Sequence, residues 1–159
     1  IKKYFKDVTY KISFEPGRYL VANSGILVSK IMMIKSSKKI NFLIIDAGMN
    51  TFIRPALYND SHNIISFKKG SNTHNYCVVG PICENSDTFA NNIKLPKQSI
   101  GDIIIIEDVG AYGSVMSSNY NSKTLPAEIL IKGKKHHLIR KSQKINELID
   151  RDSIPKWIK

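Results

Sequence analysis

Four short segments place charged or nucleophilic side chains beside Gly or Pro, where backbone can approach a ligand closely. The first is Glu15-Pro16-Gly17-Arg18. Glycine lets N–H groups close on an anion, a helix start favours phosphate, and Arg18 adds a fork for carboxylate or phosphate. The second is Asp46-Ala47-Gly48-Met49-Asn50, running into Arg54-Pro55-Ala56-Leu57-Tyr58. Arg54 and Tyr58 can converge on one carboxylate if the loop curls. The third is Gly80-Pro81-Ile82-Cys83-Glu84-Asn85-Ser86-Asp87. An exposed thiol such as Cys83 can donate a proton, because its pKa lies nearer neutrality than that of most donors. The fourth is Asp108-Val109-Gly110-Ala111-Tyr112-Gly113, followed by Met116 to Asn121. A tyrosine between glycines is well placed to meet a phosphate or a planar ring. Taken singly, each segment also reads as an ordinary turn with a surface ion pair, thiol or aromatic.

Other chemistries find little support. Cys77 and Cys83 are the only cysteines, which excludes a disulfide scaffold. No second cysteine pair or matched histidine pair completes a zinc site, and we expect no metal. His136 and His137 are adjacent and would face opposite sides of a strand.

The elements that must carry these segments are mostly strands. We expect strands at Lys11–Glu15, Gly25–Ile34, Asn41–Ala47, Asn63–Lys68, Asn75–Val79, Asp102–Glu107, Ala127–Lys132 and His136–Arg140. Gly133-Lys134 marks a hairpin and Ser36 to Lys39 a polar turn. A helical turn is expected from Arg18 to Asn23, and Ser142 to Asp150 has the spacing of a short terminal helix. The fold class is mainly β: an antiparallel β-barrel or sandwich. The opening residues differ, reading as one strand and one helix of a βα unit. We therefore divide the chain into 1–24, a βα remnant of a larger domain, and 25–159, the β-domain.

The chain has 159 residues, of which 42% are hydrophobic and 23% charged, enough for one folded domain. No apolar run approaches the roughly 20 residues of a membrane span, and we expect no membrane association. The net charge is +11. Twenty of the 24 basic residues are Lys, scattered through surface-like stretches, and Lys, Ile and Asn dominate the composition. That is the bias of an AT-rich genome, whereas a nucleic-acid surface would concentrate Arg with aromatic platforms. We expect no nucleic-acid partner.

The four segments together, in this order, resemble the C-terminal portion of the diaminopimelate decarboxylase family. That family belongs to the pyridoxal-phosphate-dependent ornithine, diaminopimelate and arginine decarboxylases, the group IV decarboxylases, which share architecture with alanine racemase. The resemblance runs from about Phe14 to Ile158. It implies an N-terminal (β/α)8 barrel, of which residues 1–24 would be the last strand and helix, followed by the β-domain.

The resemblance also implies roles. Glu15 would face the pyridine nitrogen of pyridoxal 5′-phosphate and keep it protonated. Pro16, Gly17 and Arg18 would lie at the cofactor, with Gly17 and Arg18 at its phosphate and Arg18 also reaching substrate. Arg54 and Tyr58 would grip a substrate carboxylate, and Tyr112 would touch cofactor and substrate. Cys83 would be the proton donor after CO2 leaves, and Glu84 would bind the distal ammonium. Both would be supplied across a homodimer interface to the neighbouring subunit's site. A substrate with a carboxylate and an ammonium at its far end needs both grips, so Arg54 with Glu84 suits meso-diaminopimelate better than ornithine. Asn85 departs from the small residue usual there, which bears on loop shape.

None of the twenty lysines sits in the context of the family's cofactor-binding lysine. With Ile1 in place of a starter Met, this suggests a piece of a longer cytoplasmic enzyme of lysine biosynthesis, inactive on its own. The alternatives are a decarboxylase of ornithine or arginine, a non-catalytic remnant, or a basic nucleic-acid-binding β-barrel.

Overall fold

The computed structural model describes residues 3–4, 11–37 and 40–158. Most of residues 1–10, and the Lys38-Lys39 half of the expected polar turn, lie outside the described residues. Among the described residues eight strands form: β1 Leu27–Ser36, β2 Asn41–Ile45, β3 Ile64–Ser66, β4 Thr73–Val79, β5 Thr88–Pro96, β6 Ile103–Ile106, β7 Glu128–Lys132 and β8 Lys135–Arg140. One short helix, α1, covers Arg54–Tyr58.

Six strands make one sheet in the order β3-β6-β1-β2-β4-β5. All its pairs are antiparallel except β2 with β4, which run parallel. A parallel pair needs a crossover, and here α1 and β3 lie in that connection. The two edge strands come together. Ser66 Oγ donates to Gln98 Oε1 at 2.9 Å, and the Gln98 backbone N–H donates to the Tyr76 hydroxyl at 3.1 Å. The sheet is thus a nearly closed barrel, which removes the unpaired edges an open sheet would leave.

The interior follows from strand periodicity. Leu43 and Ile45 of β2 and Ile104 and Ile106 of β6 are fully buried, while their neighbours are half-buried. Ile31, Val78 and Phe52 belong to the same core. Each such side chain contributes about 1.5–3 kcal/mol by leaving water. Ser29, also buried, donates to Asp46 Oδ1 at 2.5 Å, and the same oxygen accepts the Lys30 N–H at 2.9 Å. Asp46 therefore fastens the end of β2 to β1.

The mainly β barrel agrees with the sequence reading, with one parallel pair, β2–β4, in a sheet expected to be antiparallel. Two local expectations, a strand at Lys11–Glu15 and a terminal helix, do not hold. Residues 11–16 are coil: among the described residues a lone strand has no neighbour to take up its N–H and C=O groups. The helical turn after Pro16 is two 3-10 turns, Gly17–Leu20 and Ala22–Ser24. The terminal helix contracts to one 3-10 turn at Ile145–Leu148, too short a run to bury an apolar stripe. Strand β5 was not foreseen, because Asn91, Asn92 and Lys94 interrupt its apolar pattern.

The β7–β8 hairpin turns at Gly133, whose φ of +60° suits the first position of a two-residue hairpin turn. Its apolar side chains, among them Ile131 and Leu138, are exposed. Arg140 and Glu128 form an ion pair within it. Among the described residues no helix is long and apolar enough to cross a membrane.

The segment carrying Arg18 is docked on the barrel by two glycines. Gly110 N–H donates to Ala22 O at 2.9 Å, and Val109 N–H donates to Gly25 O at 3.0 Å. A Cβ on Gly25 would lie 2.7 Å from Gly110 Cα, and one on Gly110 would run into the Val21 carbonyl. Gly110→Ala is therefore expected to undock this segment while the barrel persists. Amide exchange at Val109 and residue 110 should accelerate roughly tenfold or more, with Leu43 and Val78 unchanged. Unaltered protection at both sites would contradict this packing.

Candidate functional site

Gly48 begins the construction of the site. Its carbonyl accepts the N–H groups of Thr51 and Phe52 at 2.9 and 3.1 Å, curling the chain after β2. Phe52 is anchored in the core and meets His62 edge-on at 4.7 Å. α1 then starts at Arg54 with Pro55 in its first turn, where the missing N–H costs nothing. Arg54 and Tyr58, four apart, share one face. The Arg54 guanidinium carbon lies 4.7 Å from the Tyr58 ring centre. Asn59 ends the helix in the left-handed conformation, φ 54°.

Past that cap, Asp60 turns its carboxylate back on the helix. Its Oδ2 accepts from Arg54 Nε at 2.8 Å, Arg54 Nη2 at 2.5 Å and Arg18 Nη1 at 3.1 Å. The Arg54 side chain is only 12% exposed, Asp60 20% and Arg18 46%. One carboxylate thus holds two guanidiniums whose charges would otherwise repel.

Tyr112 closes the cluster, its ring centre 5.3 Å from the Arg54 guanidinium carbon. It pays for that place with a φ of +57°, a backbone state that costs a residue with a Cβ about 1–2 kcal/mol. Beside Arg18, Asn23, Ser61, His62 and Asp108 border an open pocket of about 350 Å³. Arg18, Arg54, Tyr58 and Tyr112 are therefore brought together as expected. Glu15 and Pro16 are exposed in the coil before them.

Cys83 and Glu84 lie in a second cluster, on the loop between β4 and β5. Asp87, 3% exposed, is its fastening. Its carboxylate accepts the Ile82 N–H at 2.7 Å within the loop and the Met49 N–H at 2.6 Å across to the Gly48 turn. Gly80 packs against that carboxylate so closely that a Cβ would overlap it. Cys83 is exposed at the loop surface, whereas Cys77 is buried in β4 and burial pushes its thiol up. Glu84 Oε2 accepts the Tyr120 hydroxyl at 2.7 Å, and that carboxylate raises the phenol above its ordinary range. Glu84, Tyr120, Ser118, Met49, Asn50 and Ile53 line a mainly apolar pocket of about 310 Å³.

The clusters share a backbone. Ile53 lines the Glu84 pocket, and its neighbour Arg54 belongs to the arginine cluster. Among the described residues no hydrogen bond or ion pair links Cys83 or Glu84 to Arg18, Arg54 or Tyr112. Sequence reasoning missed Asp60 and Tyr120. Asp60 sits two residues after Tyr58, and Tyr120 lies in the quoted Met116–Asn121 run, but neither spacing signals its partner. Among the described residues no group of three His, Cys, Asp or Glu is placed to hold a metal.

The small barrel thus presents a guanidinium against two tyrosines and, on a separate loop, a thiol beside a carboxylate. Residues 18–110 match the family model described as pyridoxal-dependent decarboxylase, C-terminal sheet domain, and the chain belongs to that family. It is 40% identical over 158 residues to the diaminopimelate decarboxylase of Zymomonas mobilis, covering 99% of this chain and 38% of that protein. To that of Buchnera aphidicola subsp. Baizongia pistaciae it is 44% identical, covering 88% and 37%. The crystal structure of diaminopimelate decarboxylase from M. jannaschii superposes with a TM-score of 0.87 at 38% identity, over 96% of this chain and 36% of that one. A viral arginine decarboxylase from Paramecium bursaria Chlorella virus, 19% identical with a TM-score of 0.64, shares the fold. The chain spans little more than a third of the length of these relatives.

Asp87 lends itself to a test. Burial pushes its carboxyl up, and the two N–H donors oppose that only in part. The folded chain then binds this proton more tightly than the unfolded one. The resulting stabilisation is full below the ordinary carboxylate value and is lost as pH rises through the raised one. Asp87→Ala should cost about 2 kcal/mol or more at neutral pH, since it orphans two donors. In urea unfolding, the gap from wild type should widen toward about pH 4. A gap that narrows would contradict the assignment.

Proposed function

We propose that this chain is the C-terminal domain of an enzyme that decarboxylates meso-2,6-diaminopimelate to L-lysine with pyridoxal 5′-phosphate. The observation that carries the reading is the convergence of Tyr58, one helical turn on, and Tyr112, from a distant segment, on the Arg54 guanidinium. In this reading residues 1–24 belong with a (β/α)8 barrel domain and 25–159 form the β-domain. Two such subunits pair, and each lends its Cys83 loop to the other's site. Among the described residues no hydrogen bond or ion pair links the Cys83–Glu84 cluster to Arg54, which fits that arrangement. The names of the relatives support the substrate class, and one solved relative is a complex with L-lysine.

The residues present fit the cofactor. Arg18 is half-exposed beside an open pocket, Gly17 has φ +56° with no atom near the position of a Cβ, and Tyr112 is 45% exposed. Gly17 and Arg18 would hold its phosphate, Glu15 would keep a proton on its ring nitrogen, and Tyr112 would contact it. When bound, the ring supplies an electron sink for the pair left as CO2 departs.

The chain's own groups do the rest. Arg54 and Tyr58 bind the carboxylate at the far end of the substrate, the first by charge and the second by its hydroxyl. Glu84 accepts the distal ammonium, held in place by the Tyr120 hydroxyl. Cys83 Sγ gives its proton to the carbon that has lost CO2 and is reprotonated from water. The arginine and the glutamate together select a substrate carrying both a carboxylate and an ammonium at one end.

The intact enzyme that this reading requires tests it. Arg54→Met should raise KM for diaminopimelate about tenfold to a hundredfold, the loss of a charged hydrogen-bonded contact. Cys83→Ala should lower kcat at least about a hundredfold and leave KM nearly unchanged. Faster turnover of ornithine or arginine than of diaminopimelate would contradict the reading.

A further inference from the structure

Asp60 is the feature of the arginine cluster that the reaction does not use. Its Oδ2 takes both Arg54 Nε and Arg54 Nη2, the side-on fork a carboxylate ligand would use, and Arg18 Nη1 as well. We infer that Asp60 is a specificity-determining residue: its carboxylate stands where an incoming carboxylate would bind and sets how strong an anion grip the domain offers. The inference rests on the reading that Arg54 is that grip.

The argument is one of competition. Arg54 is largely withdrawn from water, so its charge needs a partner at all times. Asp60 supplies that partner when no ligand is bound. An arriving carboxylate therefore gains only the difference between its own bonds and those it shares with or takes from Asp60. It also meets a negative charge within hydrogen-bonding distance of both guanidiniums. A lone anion binds weakly against that opposition. A ligand with a second anchor, such as the ammonium beside its carboxylate, has a further source of binding to overcome it. Asp60 thus favours the zwitterionic end of a substrate over simple acids.

Removing the charge while keeping the shape separates this from a structural role. Asn at position 60 retains a side-chain oxygen to accept from the guanidiniums but no longer repels an anion. The probe is glutarate, titrated into the full chain at fixed ionic strength and followed through the arginine N–H signals. Asp60→Asn is expected to bind glutarate about fivefold to tenfold more tightly than wild type, and Asp60→Ala to shift in the same direction. Equal or weaker binding in both variants, or no saturable response in either, would overturn the inference and leave Asp60 as a fixture that merely positions the arginines. Arg54→Met tells the two levels apart. If it binds glutarate as wild type does, the grip itself is misassigned and the inference falls with it. If it weakens binding while Asp60→Asn does not tighten it, the inference alone fails.

Discussion

A guanidinium withdrawn from water must find an anion and a flat surface, and much of this domain is arranged to give Arg54 both. Asp60 supplies the charge, with Oδ2 bonded to Nε and Nη2. Tyr58 and Tyr112 supply the rings, at 4.7 and 5.3 Å. Cation–π contact adds to such a site more when the group is partly desolvated, as here. The surroundings follow from that demand. The Gly48 turn places α1, the left-handed cap at Asn59 returns the chain to deliver Asp60, and two glycines let Arg18 dock from a distant segment. Tyr112 accepts a strained backbone to complete the set.

The barrel is what makes these loops precise. β2 runs straight into the Gly48 turn, β4 and β5 bracket the Cys83 loop, and β6 leads to Tyr112. Asp87 then ties the Cys83 loop to the Gly48 turn through Met49. Neighbouring residues Ile53 and Arg54 thereby serve two different pockets. The arginine cluster and the thiol–carboxylate loop are thus joined through one short stretch of backbone.

Much of this was legible in the sequence, unevenly and for physical reasons. Short, continuously apolar runs announced β2 and β6, and Gly133-Lys134 announced the hairpin. Strand β5 was hidden because its solvent face is asparagine and lysine, so its apolar residues do not alternate cleanly. The strand expected at Lys11–Glu15 depends on neighbours that the described residues do not supply. Of the site, the residues in Gly- and Pro-bounded motifs were found, since those motifs constrain backbone. Asp60, Tyr120 and the fastening role of Asp87 were not, because each acts through a partner distant in sequence: Arg18 is 42 residues from Asp60, Tyr120 is 36 from Glu84, and Asp87 is 38 from Met49. Net charge alone invites a nucleic-acid reading, but twenty of the 24 basic residues are scattered lysines, and two of the four arginines are paired with a carboxylate inside the domain.

Arginine side-chain NMR on the labelled chain reads the central arrangement directly. Of the four arginines, Arg54 should show an Nε–H that exchanges slowly with water and gives nuclear Overhauser contacts to ring protons of both Tyr58 and Tyr112. An Arg54 Nε–H that exchanges as fast as that of a free surface arginine, with contacts to neither ring, would contradict the account.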